Sequence, residues 1–288
     1  MSTAPHAQAQ QIPVRRMDFE FSDDIPTYWH AGDPFRTLLF TALSGTFPEG
    51  EKFFVDAVRN YRDQIKDPEL QHAVSGFIGQ EAHHAKEHSA LNALMQRKGF
   101  PMHKIDRMVH DGLHFMRRRL SPQRQLAMTC ALEHFTAILA ELLLDHPELT
   151  ADMDPRMKAL WLWHAIEESE HMAVAYDVYQ ATVGSYWIRV SQMLFNTLEF
   201  NFFAGLHFLR LLHHDGHLKD WRLMVRGLSE LYISPGWLRK VIPAYLQYYR
   251  PGFHPWQRDN SVTLEYWRRH LQNLRAELGY EDPLGKQV

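Results

Sequence analysis

Between Trp161 and Ala175 the sequence reads WLWHAIEESEHMAVA, which spaces His164, Glu168 and His171 four and then three residues apart. At 3.6 residues per turn these three side chains share one stripe of a helix. Trp161, Ala165, Met172 and Ala175 fall on the same stripe, so it faces an interior. An interior carboxylate needs a partner, and carboxylate with imidazole is a donor set that holds metal ions. Taken alone, Glu167, Glu168 and Glu170 read equally well as an ordinary solvated acidic face.

Three other stretches break that tie. Glu81 and His84 form a Glu-x-x-His pair on a stripe with Val74, Phe77, Ile78 and Ala85, whereas His83 and Glu87 fall off it. Glu133 lines up with Leu126, Cys130, Ala137 and Ala140, and its neighbour His134 lies about 100° round the helix. Of two acids near residue 50, Glu51 shares its face with Phe47, Phe54, Val55 and Val58, so it and not Glu49 points inward. The predicted ligand set is therefore Glu51, Glu81, His84, Glu133, His164, Glu168 and His171. Glu51, Glu81 and His84 are expected to hold mainly one ion. His164, Glu168 and His171 hold the second, with Glu133 or a partner carboxylate bridging, and the identity of the bridging glutamates stays open.

The elements that must position these groups are legible from their starts. Asp33-Pro34, Asp67-Pro68, Ser121-Pro122 and Asp154-Pro155 each put a capping side chain before a proline at the first helical position. They predict helices over about 34–65, with a bend or interruption near Gly45–Pro48, and over about 68–98, 122–145 and 155–182. A further helix over about 102–119 connects the first pair to the second. Glu51 and Glu81 lie 15 and 14 residues from the Lys66–Asp67 turn, and Glu133 and Glu168 lie 13 and 14 residues from His146 and Asp154. At 1.5 Å per residue each pair of carboxylates meets at one level, roughly 20 Å from its connection. Beyond Gly184 the pattern stays helical over about 187–214, 221–232, 235–249 and 261–278, with a structured loop over 248–259. No alternating strand pattern and no repeat is present.

The order Glu, Glu-x-x-His, Glu, Glu-x-x-His resembles the ferritin-like di-iron and di-manganese carboxylate bundles across roughly 34–184. That resemblance implies an all-α, ferritin-like four-helix bundle in 31–184, preceded by a partly disordered arm in 1–30 and followed by a helical extension in 185–288. His164 looks like the additional histidine of the p-aminobenzoate N-oxygenase branch of di-iron oxygenases. Over its whole length the chain is similar to bacterial proteins labelled predicted metal-dependent hydrolases, through GQEAHHAKEH at 79–88, EHF at 133–135, HAIEESEH at 164–171 and YYRPGFHPW at 248–256.

Four carboxylates balance two divalent cations, and a set without thiolates suits iron first, then manganese or zinc. The expected activity is oxidation of a small apolar organic substrate with O2 as co-substrate and an electron donor of unknown identity. The alternative is hydrolysis by a metal-bound water, and a third reading is ferroxidase or metal storage. A formal charge of -3 and the lack of a long basic run argue against nucleic acid. The single cysteine, Cys130, excludes an internal disulfide and fits a reducing cytoplasm, and the first 16 residues read as a poorly ordered arm and not as a secretory signal. Residues 187–214 are apolar but interrupted by Arg189, Asn196, Glu199, Asn201 and Arg210, so they fail as a membrane span. They read instead as a helix covering the open side of the bundle, with a channel wall or a peripheral contact with the inner membrane as the sharper readings. A homodimer is compatible with all of these.

Overall fold

The computed structural model describes residues 12–279. The chain is all-α, and among these residues the only β pairing is an isolated antiparallel bridge between His30 and Met153. In order the helices are α1 (Pro34–Ser44), α2 (Phe47–Arg59), α3 (Pro68–Arg97), α4 (Met102–Arg119), α5 (Pro122–Asp145), α6 (Pro155–His171), α7 (Val174–Thr182), α8 (Tyr186–His214), α9 (Trp221–Tyr232), α10 (Trp237–Lys240), α11 (Ile242–Gln247) and α12 (Ser261–Glu277).

All four expected caps are in place. The Asp33, Asp67, Ser121 and Asp154 side chains accept from backbone N–H groups in the first turns of α1, α3, α5 and α6. The expected interruption falls at Gly45–Thr46, followed by Pro48 in the first turn of α2. A Cβ on Gly45 would lie 2.9 Å from Ile105, so glycine lets the start of α4 approach the break closely.

Helices α2, α3, α5 and α6 close a four-helix bundle: α2 packs on α3, α5 on α6, α2 on α5 and α3 on α6. Helix α4 carries the chain from one pair to the other along α2 and α3. Helix α8 covers the bundle from outside, packing on α5 and α1, with α9 against α1 and α12 against α6. Helix α5 is the one described helix long and apolar enough to cross a membrane, but most of it is buried among its neighbours.

The structure departs from the sequence expectation in two places. The fourth helix is not continuous to Thr182 but turns at Met172–Ala173, directly after His171. No proline or glycine stands there, and α7 leaves to pack on α5 and α3, so tertiary packing sets the turn. The expected helix over 235–249 is two short ones, because Pro243 cannot donate within a continuous helix and opens α11 instead.

The N-terminal arm is laid against the bundle from residue 12 onward. Met17, Phe19, Phe21, Ile25 and Trp29 are buried, and both oxygens of buried Glu87 accept from the backbone N–H groups of Asp18 and Phe19. Gly76 and Gly79 on α3 make this possible, since a Cβ there would meet Ile12 at 2.7 Å and Val14 at 2.5 Å. Residues 1–11, where poor order was expected, lie outside the described residues.

A buried cation ties the 248–256 loop to the bundle. Arg189 of α8 donates to the carbonyls of Tyr248 and Arg250 and lies over the Tyr248 ring, while His254 bonds the Asp177 carboxylate at 2.8 Å. Replacing Arg189 with leucine strands two carbonyls in the core. Arg189→Leu is expected to lower unfolding free energy by roughly 2–4 kcal/mol, read as an earlier denaturant midpoint with an unchanged slope.

Candidate metal centre

All seven predicted ligands are buried and converge on the axis of the bundle, one face each of α2, α3, α5 and α6. The contacts between α3 and α6 pair residue 81 with 171, 84 with 168 and 88 with 164, so these helices run in opposite directions. Each Glu-x-x-His motif therefore meets the other head to tail.

That direction overturns the expected division of ligands by hairpin. Two groups of donor atoms lie close enough to share an ion: Glu51 with His84 and His164, and Glu81 with Glu168 and His171. Positions three apart on one helix differ in height by about 4.5 Å. Antiparallel packing then sets the histidine of one motif level with the glutamate of the other, so each ion would draw on both hairpins. Glu133 joins the second group, with Oε2 3.4 Å from His171 Nε2.

The fit to metal rests on atoms left without partners in a dry core. Both carboxylate oxygens of Glu51, Glu81 and Glu133, Oε2 of Glu168, Nδ1 of His84 and Nε2 of His171 are buried and make no hydrogen bond. His171 Nε2 nevertheless lies 3.1 Å from Glu81, 3.4 Å from Glu133 and 3.6 Å from Glu168. Ligand atoms about 2.1 Å from a common ion and at right angles stand about 3 Å apart, so these unaligned approaches suit a shared cation. Nothing else in the chain would offset the cost of burying so many charged groups.

Behind each histidine a second residue fixes the ring. Nε2 of His84 faces Glu167 Oε2 at 3.1 Å, and Nδ1 of His171 faces Gln80 Oε1 at 2.8 Å. His164 is oriented through a longer chain. Ser44 donates to Asn92 Oδ1 at 2.9 Å, so it accepts from His88 Nδ1, and His88 Nε2 then accepts from His164 Nδ1 at 2.6 Å. That order leaves the lone pair of His164 Nε2 pointing at Glu168 Oε1, 2.9 Å away, where a cation belongs between them.

Sequence reasoning missed this outer layer. Glu167 and Glu170 were read as part of a charge run, but both are buried, and Arg15 of the arm bonds Glu167 at 2.9 Å and Glu170 at 2.7 Å. Arg268 of α12 and Gln80 bond Glu170 as well, at 2.7 and 2.9 Å. The i, i+4, i+8 spacing of Gln80, His84 and His88 was the available signal for the α3 partners.

Burial, reinforced by neighbouring carboxylates, pushes Glu51 and Glu81 up and Glu133 to about 8. Burial also pushes Glu168 upward, but the charge of His171 and the close imidazoles of His164 and His84 hold it well below the ordinary range. Against burial, hydrogen bonds to Glu167 and Glu168 raise His84 to about 10, whereas burial and the charge of His84 lower His164 to about 4. The metal-free core thus keeps protons in place of cations.

These features define a buried, carboxylate-rich candidate metal centre at the heart of a helical bundle. A family model described as predicted metal-dependent hydrolase matches residues 13–259, and the chain belongs to that family. No curated protein and no solved structure matches the chain.

Two outcomes follow from the geometry. The protein should take up close to two divalent ions per chain, with Glu81→Ala or Glu168→Ala losing most of the metal while circular dichroism stays helical. Ions must also displace protons: Glu133 and His84 bind theirs above ordinary pH, so metal binding at pH 7 should release at least one proton. The apparent affinity should then rise as pH increases towards 9, and calorimetry in buffers of different ionisation enthalpy measures the release.

Proposed function

We propose that this chain is a two-metal enzyme acting on an apolar substrate, with hydrolysis ahead of oxidation. The observation that carries the metal reading is the set of unpaired carboxylate and imidazole atoms in the core. Oxidation ranks first on the sequence alone, but the description of the family favours the hydrolytic alternative. Two ions held by Glu51, His84 and His164 on one side and Glu81, Glu133, Glu168 and His171 on the other would activate a water and stabilise a leaving oxygen. The protein supplies the rest: Gln80, His88 and Glu167 hold the imidazoles in register, and the surrounding helices exclude bulk water.

An apolar cavity reaches the centre from one side. It is walled by α2, α4, α5 and α8, includes Phe47, Leu113, Met128 and Phe203, and ends on Glu51, His164 and Glu168. Such a wall suits an organic substrate better than storage of a hydrated ion, which speaks against the ferroxidase reading.

One specific observation favours oxidation as the second reading. The donor set has no thiolate, Cys130 being turned to the carbonyl of Ala175, and four carboxylates with three imidazoles suit two redox-active irons. Manganese- or zinc-loaded protein is expected to cleave apolar esters or phosphoesters at a rate abolished by Glu168→Ala. If that form is inert while the anaerobically reduced iron form consumes O2 and yields an oxidised organic product, the oxidative reading replaces the hydrolytic one.

A further inference from the structure

The cavity has two polar groups outside the metal centre that nothing in the protein satisfies, and both come from one stripe of α8. His207 is fully buried, and neither ring nitrogen has a partner. Glu199, half-buried on the same wall, makes no hydrogen bond or ion pair among the described residues, and burial alone pushes it up to about 7. The other polar side chains on the wall are already committed: Thr46 donates to the carbonyl of Leu43 at 2.7 Å and Thr136 to that of Glu133 at 3.0 Å. Buried polar groups left unpaired are costly, and in a cavity that faces a reactive centre their usual partner is the ligand.

The packing of α8 on α5 fixes their heights. Gln192 bonds Arg124, Asn196 bonds the carbonyl of Met128, and Phe200 stacks on Phe135 at 5.7 Å, so the two helices run side by side in the same direction. Glu199 is therefore level with Leu132 and Glu133, the height of the metal centre. His207 lies two turns further along, on the order of 12 Å away. Burial, helped by Arg210, holds His207 down to about 4, so near neutrality its ring is uncharged, with one N–H and one lone pair.

We propose that the cavity recognises its substrate at two points: an amino or hydroxyl group next to the reacting end meets Glu199, and a second hydrogen-bonding group at the far end of an apolar chain meets His207. A carboxylate at the first point is disfavoured, because Glu199 and the acids of the centre face it. The residues between the two points, Phe200, Phe203 and Ala204, give the chain only apolar contact. This inference rests on the cavity being the substrate side of the two-metal centre.

Calorimetry on the full chain, metal-free and metal-loaded, tests it without turnover. The probes are aminooctanol with its heads at opposite ends, octylamine and octanoate, each below its aggregation limit. Wild-type protein should bind aminooctanol about tenfold tighter than octylamine and octanoate weakest, the loss of one hydrogen bond to a buried group being worth about that factor. Glu199→Leu should erase the preference for octylamine over octanoate. His207→Phe should erase the advantage of aminooctanol while leaving octylamine unchanged. Ala204→Trp, which fills the cavity, should abolish all three, and thermal melts show whether each variant is folded. Equal affinities for the three probes, preferences that survive both substitutions, or binding that survives Ala204→Trp would overturn the proposal. Failure to bind metal with the preferences intact would instead overturn the two-metal reading and leave the recognition mode standing.

Discussion

Four glutamates in a core from which water is excluded are the constraint that organises this protein. Each ionised carboxylate there carries a desolvation cost of several kcal/mol unless a cation or a full set of donors meets it. The bundle supplies no lysine or arginine at that level and leaves the oxygens of Glu51, Glu81 and Glu133 without hydrogen bonds. Protons can neutralise the site, and burial raises these acids so that they retain them. Metal ions satisfy more of the lone pairs at once, and that difference links folding, metal binding and proton release.

The arginines stand one layer out. Arg15 and Arg268 neutralise Glu170, and Arg15 also reaches Glu167, which in turn holds His84. The N-terminal arm and α12 thereby act on the centre without entering it. The arm lies flush on α3 because Gly76 and Gly79 present no side chain to it. Its contribution to the site is electrostatic and orientational, through a charge pair that is itself largely out of water.

On the other side, α8 faces two ways. Its inner stripe walls the cavity with Phe203, Ala204 and His207, while Trp187, Leu198 and Phe202 are left exposed. A helix apolar on both faces has more to cover than one bundle provides. The inner face accounts for the apolar interruptions that make the segment fail as a membrane span, since Arg189 is consumed by carbonyls of the 248–256 loop and Asn196 by α5.

Most of the inner set of donors was legible because helical periodicity is a local property. Glu51 against Glu49, and Glu81 with His84 against His83 and Glu87, separate by side-chain direction alone, and cap-proline pairs mark the helix starts. Equal distances from the connections also placed the carboxylates at one height. Which donors share an ion was not legible, because that depends on α3 and α6 running antiparallel and meeting face to face, a relation between residues more than eighty apart. The burial of Glu87, Glu167 and Glu170 was hidden for the same reason: on their own helices they lie off the core stripe, and only the arm and α12, arriving from distant parts of the chain, enclose them. The sequence by itself thus determined the helices, their facing and the chemical identity of the centre, whereas only the tertiary structure decided the pairing of the ligands, the turn after His171 and the residues that hold the histidines in place.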